Sequence, residues 1–505
     1  MTDLLGHPTA PAVVRTVSDL AGFLGAPLVG DPASGSLPVR DISDDSRTLS
    51  GGDAYLAVPG SRWHGLDFQA QAAAAGAVVA ISDRPSSLLP TVIVDDPRAI
   101  GGPLCAWFHG SPSGDMRVFG VTGTNGKTST SHFLDAGLAA AGEITGLVSG
   151  ATIRGPGIEL RPVRTTPEAT ILQRTLGRFR RGGVTACAME VSSHAVDQRR
   201  IDGTRFRTMA FTNLGRDHLD YHGTMEAYYR TKASLFTAER TDTAVICVDD
   251  EYGRRLAASA VRPTWRFSVR DPSVDVYADG IVCDSAGSRF VAHTPFGALP
   301  VHLQVMGPHQ VPNAVAALTS LLADGLDPAA VACGLESLSR IPGRCEPVHA
   351  GQSFTAIVDY MHNESGQRVL LPFLDSLAGG RLILVIGATG DRDTTKRGPL
   401  GYSAASFADV VIVTDESPND EDPATIRAEV LAGARRARHA RVVEEPDRAR
   451  AFELAVATAA PTDVVVVTGR GNDHVQRYGD HAISFDDRAQ LTHAIFTAMK
   501  AGDAR

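Results

Sequence analysis

The chain has 505 residues, too many for one ordinary core, so two to four domains are expected. Hydrophobic residues make up 43%, charged residues 21%, and the formal net charge is −9. That balance argues against non-specific nucleic-acid binding and fits a soluble enzyme of small metabolites. The six cysteines (Cys105, Cys187, Cys247, Cys283, Cys333 and Cys345) include no CxxC pair. Neither a zinc site nor a disulfide framework is suggested, and buried free thiols in a reducing compartment are expected. The N-terminal stretch "MTDLLGHPTAPAVVRTVSDL" lacks a basic region followed by an apolar run, so no secretory signal is read there. No stretch of about 20 apolar residues exists to span a membrane, and the cytoplasm is the expected compartment.

In chain order, "AYLAVPG" and "AVVAISD" read as strands, with "FQAQAAAAGA" as a helix between them. "HGSPSGDMR" at 109–117 reads as a connector. From Val118 onward, short β-branched runs alternate with helical segments: "VFGVTG", "TACAME", "TMAFTNL", "TAVICVDD". This is the pattern of a mainly parallel α/β sheet. "RIPGRCEPV" at 340–348 reads as a hinge. Beyond it, "FTAIVDY", "RLILVIGATG", "VVIVTD" and "DVVVVTGRG" are four buried strands, each ending in a Gly-, Asp- or polar-rich turn. Ligands bind at such strand ends in open α/β sheets.

"VFGVTGTNGKTSTSHFL" sets an apolar strand before a glycine loop and a helix. Its spacing, Gly123-x-x-Gly126-Lys127-Thr128, departs from a standard Walker A loop. The physics is retained: glycines let successive N–H groups face a phosphate, the helix N-terminus adds positive potential, and Lys127 supplies a cation. Gly123, Thr124, Asn125, Gly126, Lys127, Thr128 and Ser129 are therefore the candidate ATP contacts, with Thr128 able to reach Mg²⁺. Glu190 ends one strand, and Asp217, His218 and Lys232 follow another. A carboxylate and an imidazole at neighbouring strand ends suit a divalent cation.

"GVTGTNGKTST", "TTPEA", "MEVSSHAVDQRR", "FTNLGRDHLDYHGTMEAYYRTK", "VDYMHN", "GATGDRD" and "GRGNDHVQ" occur in this order. Together they resemble the Mur ligases, and most closely the MurE branch, which joins an amino acid to UDP-N-acetylmuramoyl-L-alanyl-D-glutamate. The resemblance implies three α/β domains: an N-terminal UDP-substrate domain (1–112), a central P-loop ATPase-type domain with a mainly parallel sheet (113–342), and a C-terminal Rossmann-like amino-acid domain (343–505). It implies ATP and Mg²⁺, an acyl-phosphate mechanism, and a monomer acting on small molecules, with no nucleic-acid or membrane partner. By the same resemblance, Lys127 is catalytic at the ATP phosphates. Thr128, Glu190 and His218 serve metal sites, and Lys232 matches the lysine that is carbamylated. Ser46 and Arg47 lie near the uridine, while Thr165, Thr166, Ser192, Gln198 and Arg200 hold the UDP-muramoyl moiety. Asn313, Arg344, Asp359 and His362 match further nucleotide-side positions, with Gln310 where a first asparagine is usual.

The amino-acid pocket departs from the family pattern. Members that add meso-diaminopimelate carry Asp-Asn-Pro-Arg at a strand end, whereas this chain has Glu416, Ser417, Pro418 and Asn419. Asparagine cannot form a bidentate pair with a distal carboxylate, so diaminopimelate is disfavoured. Glu416, with Asp415 or Asp420, is expected to receive a distal ammonium, and a basic amino acid such as lysine or ornithine is the leading expectation. Arg392 is expected to grip the α-carboxylate, next to Gly469 and Asp473. Asn472 and Asp473 stand where His-Glu is usual. The same departures fit a related ligase recruited to a specialised pathway with a different amine or acid.

Overall fold

The computed structural model describes residues 14–60, 62–260 and 263–503. The stretch 1–13, part of the segment searched for a secretory signal, lies outside the described residues.

Three sheets organise the chain into three α/β domains. A five-stranded sheet takes Leu28–Val29, Ile42–Ser43, Ala54–Leu56, Val79–Ser82 and Thr91–Ile93. An eleven-stranded sheet spans Arg117–Thr122 to Gly297–Leu303. A six-stranded sheet, from Glu346–Pro347 to Val464–Val467, forms the C-terminal part. All of its pairs are parallel except the one made by Glu346–Pro347.

The apolar runs form strands because both faces of each are covered, as parallel sheets require. Phe119 and Val121 pack with Phe133, Leu134 and Leu138, whereas Val118 packs on the opposite face with Leu172 and Leu176. In the C-terminal sheet Leu382, Leu384 and Ile386 face Leu371 and Ala404, while Ile383 and Val385 face Ala451 and Phe452. Alternation on a strand thus becomes a three-layer sandwich.

The central strand Arg117–Thr122 lies between Ala186–Glu190 and Phe206–Phe211, parallel to both. Register sets Glu190 beside Val121 and Phe211 beside Thr122, so three strand ends open around one loop. The antiparallel extension Val276–Asp284, Gly287–Thr294 and Gly297–Leu303 was not among the expected elements. It adds length to the sheet at the side away from that loop.

The N-terminal sheet docks on the central domain through a buried ion pair. Arg174, on the helix Ala169–Arg181, contacts Asp41 at 2.6 Å and donates to the Ile42 carbonyl at 3.2 Å, and His109 approaches Asp41 at 3.4 Å. Arg174→Ala leaves Asp41 buried with a poorer partner, so unfolding free energy should fall by about 3 kcal/mol in denaturant titration. The double variant Asp41→Asn/Arg174→Met should recover part of the loss. Equal stability of Arg174→Ala and the unaltered chain would remove the pair from this role.

Of the six thiols, Cys105, Cys187, Cys247 and Cys345 are buried, but Cys283 is half-buried and Cys333 is exposed. The expectation of buried cysteines is corrected for these two: Cys283 lies on a partly exposed antiparallel strand and Cys333 on a partly exposed helix. No described helix is long and apolar enough to cross a membrane.

Candidate active site

The phosphate loop joins the buried strand Arg117–Thr122 to the helix Lys127–Ala140. Gly126 caps that helix at φ 90°, a conformation that a side chain would strain. A β-carbon there would also lie 2.2 Å from Asn313 Oδ1, so the asparagine from the helix Gln310–Ala323 is pressed against the loop. Gln310, at the place of the first family asparagine, accepts weakly from Asn313 Nδ2 at 3.5 Å. Thr124 Oγ1 lies 3.1 Å from the Tyr228 hydroxyl, and Asn125 N donates to Asn213 Oδ1 at 3.0 Å. Ser129 is buried in the first helical turn.

Lys127 Nζ donates to the carbonyls of Gly123 and Thr124 at 3.0 and 2.8 Å. Burial pushes its pKa down, while Glu190 and Asp217 pull it back up. Glu190 accepts from Gly150 N at 2.7 Å, and the Thr128 hydroxyl nearby helps to stabilise its charge. Burial raises its pKa, and Lys127 and Arg344 oppose the rise. Lys232 is fully buried, with Nζ donating to Gly123 O at 2.9 Å and Thr122 Oγ1 at 3.3 Å. Burial first, and the Lys127 charge second, hold its pKa well below that of an ordinary lysine.

His218 sits in the left-handed region at φ 54°, held there by its own N–H donating to Asp217 Oδ1 at 3.0 Å. Burial pushes its pKa down to about 3, so the imidazole is neutral and able to ligate. Burial works to raise the Asp217 pKa, but the neighbouring His362 and His218 hold it well below the usual range. His362 reaches Asp217 across the domain boundary at 3.4 Å.

The same boundary carries Asn363 and Ser365, which bond Asn125 at 3.2 Å each. Arg344 donates to Thr128 Oγ1 at 2.9 Å and lies over the Tyr360 ring at 4.3 Å. The C-terminal domain therefore closes directly onto the phosphate loop. Asp359 is engaged differently from the nucleotide-side expectation. Its two oxygens accept from Cys345 N at 2.6 Å and Met361 N at 2.7 Å, fixing the hinge.

Among the residues expected to hold the UDP-substrate, Thr166 Oγ1 donates to Glu190 O at 2.9 Å and accepts from Ser192 N at 3.1 Å. Arg200 donates to Thr166 O at 3.3 Å, contacts Gln198 Oε1, and pairs with Glu168 at 3.1 Å. Thr165 adjoins Gly150. These residues form one cluster. Ser46 bonds Gln71 Oε1 at 2.9 Å, and the exposed Arg47 pairs with Asp45 at 2.7 Å. Their neighbour Asp44 accepts from Thr170, on the helix that follows Glu168.

In the C-terminal domain, Glu416 is buried and one of its oxygens accepts from Thr389 Oγ1. The other, Oε2, faces Gly469 and has no hydrogen-bond partner among the described residues. Ser417 Oγ accepts from Arg470 at 2.9 Å. Asn419 adopts φ 52°, where asparagine is tolerated, and its amide donates to Gly390 O at 2.8 Å. Asp473 is open to the surface at one side yet ringed by protein. Lost solvation pushes its pKa up to about 6, Glu416 adds to the rise, and Arg470 and Arg344 oppose it.

Asp415 is a correction: its buried carboxylate is already charge-paired with Arg427 and accepts from the Tyr478 hydroxyl at 3.1 Å, so its charge is offset within the protein and not held for a ligand ammonium. Asp420 and Arg392 are exposed. The Arg392 charge is felt at His194, whose pKa burial and nearby cations push down to about 4. Thr389 and Arg470 lie within the motifs "GATGDRD" and "GRGNDHVQ", but their contacts, like those of Gly150, carried no sequence signal because the partners lie far along the chain.

Comparison with known proteins matches three family profiles in order. "Mur ligase family, catalytic domain" covers residues 38–99, "Mur ligase middle domain" 121–321, and "Mur ligase, glutamate ligase domain" 343–471. The UDP-N-acetylmuramoyl-L-alanyl-D-glutamate–2,6-diaminopimelate ligase of Streptomyces coelicolor is 40% identical over 504 residues, covering 97% of this chain and 99% of that one. A solved structure of a ligase of the same description shares 27% identity and a TM-score of 0.64, over 96% of this chain and all of that one. The MurF ligase of Thermotoga maritima in complex with ADP shares the fold at 19% identity and a TM-score of 0.65, over 92% of this chain and 97% of that one. With a strand-end constellation built around its phosphate loop, the chain belongs to the Mur ligase family, as an ATP-dependent, ADP-forming ligase with MurE-type relatives.

Proposed function

We propose that this ligase adds a basic amino acid, lysine or ornithine in type, to UDP-MurNAc-L-Ala-D-Glu during peptidoglycan precursor synthesis. It would act as a cytoplasmic monomer, with domains at 1–112, 113–342 and 343–505 holding the UDP end, the nucleotide and the amine. The observation that carries the reading is the convergence of Lys127, Thr128, Glu190, His218 and Lys232 on one loop, with Arg344 entering from the C-terminal domain.

In this reading the terminal carboxylate oxygen of the acceptor bonds to the γ-phosphorus of ATP as the bond to ADP breaks. The amine nitrogen then bonds to the acyl carbon, loses its extra protons, and phosphate leaves. Lys127 offsets charge on the phosphates, and the cluster of Thr166, Ser192 and Arg200 orients the acceptor. Among the described residues no three His, Cys, Asp or Glu side chains form a ready-made cation cage. Thr128, Glu190, His218 and a carbamylated Lys232 fit Mg²⁺ nonetheless, because that ion takes few protein ligands and completes its shell with phosphates and water. Bound there, Mg²⁺ would supply charge neutralisation.

The choice of amine rests on two features. The Asn419 amide is already used on Gly390 O and offers no cation to a distal carboxylate. Glu416 Oε2, buried and without a hydrogen-bond partner among the described residues, offers an acceptor instead. The curated relative is named for diaminopimelate, so the amine is the point at which this chain is proposed to differ.

Phosphate release with ATP, Mg²⁺ and UDP-MurNAc-L-Ala-D-Glu tests both halves. Lysine or ornithine should exceed meso-diaminopimelate in kcat/KM by about 10-fold or more, the scale of one lost charge-assisted hydrogen bond. The KM for the basic amine should rise as pH falls through about 6, where Asp473 gains a proton. Efficient use of meso-diaminopimelate would overturn the pocket reading. No turnover with any amino acid would favour the second reading, a ligase of a specialised pathway, which the departures at 416–419 and 472–473 support.

A further inference from the structure

We propose that Asn472 is a positioning residue that couples nucleotide occupancy in the central domain to the loop that receives the amino acid. The proposal rests on the family's ATP-dependent ligation and not on which amine is used.

Asn472 closes a circuit of polar contacts. Its Nδ2 donates to Gly150 O at 3.0 Å, and Gly150 N donates to Glu190 Oε1 at 2.7 Å. The Thr128 hydroxyl stands near enough to the Glu190 carboxylate to stabilise its charge, and Thr128 Oγ1 accepts from Arg344 at 2.9 Å. Arg344 in turn donates to Asn472 Oδ1 at 3.4 Å. Both ends of one side-chain amide are therefore used, one on each domain. Only a group with a donor and an acceptor can complete the ring, and alanine has neither.

The backbone around Asn472 is locked to the hinge. A β-carbon at Gly343 would lie 2.4 Å from Asn472 N, so hinge and loop touch without intervening side chains. Gly471 packs equally closely on Tyr360, beneath Arg344. Asp473 follows directly, and Gly469 abuts Glu416 Oε2. Any change in what Arg344 and Thr128 hold is thus passed through Asn472 to residues 469–473. A cation at Thr128 competes for the oxygen that Arg344 now contacts, and a phosphate competes for the Arg344 donor itself, which gives the circuit a reason to change when nucleotide binds.

Amide hydrogen exchange on the full chain tests this with Mg²⁺ and a non-hydrolysable ATP analogue, without amine or UDP-substrate. In the unaltered protein the analogue should slow exchange in the peptide covering 469–478, remote in sequence from the phosphate loop. Asn472→Ala should bind the analogue within about threefold of the original affinity yet lose at least about half of that slowing. Asn472→His, which keeps a donor and an acceptor, should restore most of it, and serves if the alanine variant is unstable. The proposal is overturned if the unaltered protein shows no slowing in this peptide, or if Asn472→Ala keeps it in full. Loss of analogue binding itself in Asn472→Ala would also overturn it, making the residue part of the nucleotide wall. Because no amine is present, failure here is separate from failure of the proposed substrate.

Discussion

Lys232→Ala lowers turnover by about 10²- to 10³-fold, and millimolar acetate or formate restores part of it, if Lys232 works as a carbamate. The structure favours that chemistry in three ways. The side chain is fully buried, so the ammonium is poorly solvated. The Lys127 charge nearby adds repulsion, and the two together hold the amine's pKa well below the usual lysine range. A neutral amine attacks CO₂ and releases a proton, leaving an anion next to Lys127 and the phosphate loop. Burial thus disfavours one charged form and Lys127 favours the opposite one. A small acid diffusing into the space left by Lys232→Ala would replace the missing carboxylate. Unchanged turnover in Lys232→Ala, or reduced turnover with no response to acids, would return Lys232 to a packing role.

Lys127→Met is expected to be at least as damaging, with kcat/KM down by about 10³-fold. Part of the loss is direct, since no other side chain of the loop carries a positive charge to the phosphates. A second part passes through Lys232. Removing the Lys127 cation raises the Lys232 pKa and withdraws the charge that stabilises its carbamate. Lys127→Met should therefore respond to bicarbonate more strongly than the unaltered enzyme does. The phosphate-release assay with varied bicarbonate measures this, and identical bicarbonate curves would show that the two lysines act independently.

Much of the fold was legible because parallel strands are buried on both faces and so appear as unbroken β-branched runs. "VVIVTD" and "DVVVVTGRG" are of this kind, and their strands end close to where the runs end. The neighbourhood of Glu190 and His218 was also legible, because Glu190 ends one strand beside the phosphate loop and His218 follows another, Phe206–Phe211. The extension at 276–303 was missed because its strands are half-exposed and mix polar residues into both faces. Side-chain partnerships were the least legible. Nothing local to Asp415 shows that Arg427 will neutralise it, nor local to Asp359 that hinge amides will occupy both of its oxygens. Contacts such as that between Asn472 and Gly150 join residues 322 apart and exist only after the domains meet.

The bond from Asn419 to Gly390 bears on how this pocket could have changed, or could be changed back. Asn419, in the proposed reading the place of an absent cation, is also a fastener between two strand-end turns, at a φ that arginine adopts less readily than asparagine. A lone Asn419→Arg exchange would supply the charge but release the turn at 390. If the amine is chosen at Asn419 as proposed, residues 389–391 and 416–419 act as one unit, and chimaeras that swap both turns together are the variants expected to transfer substrate choice.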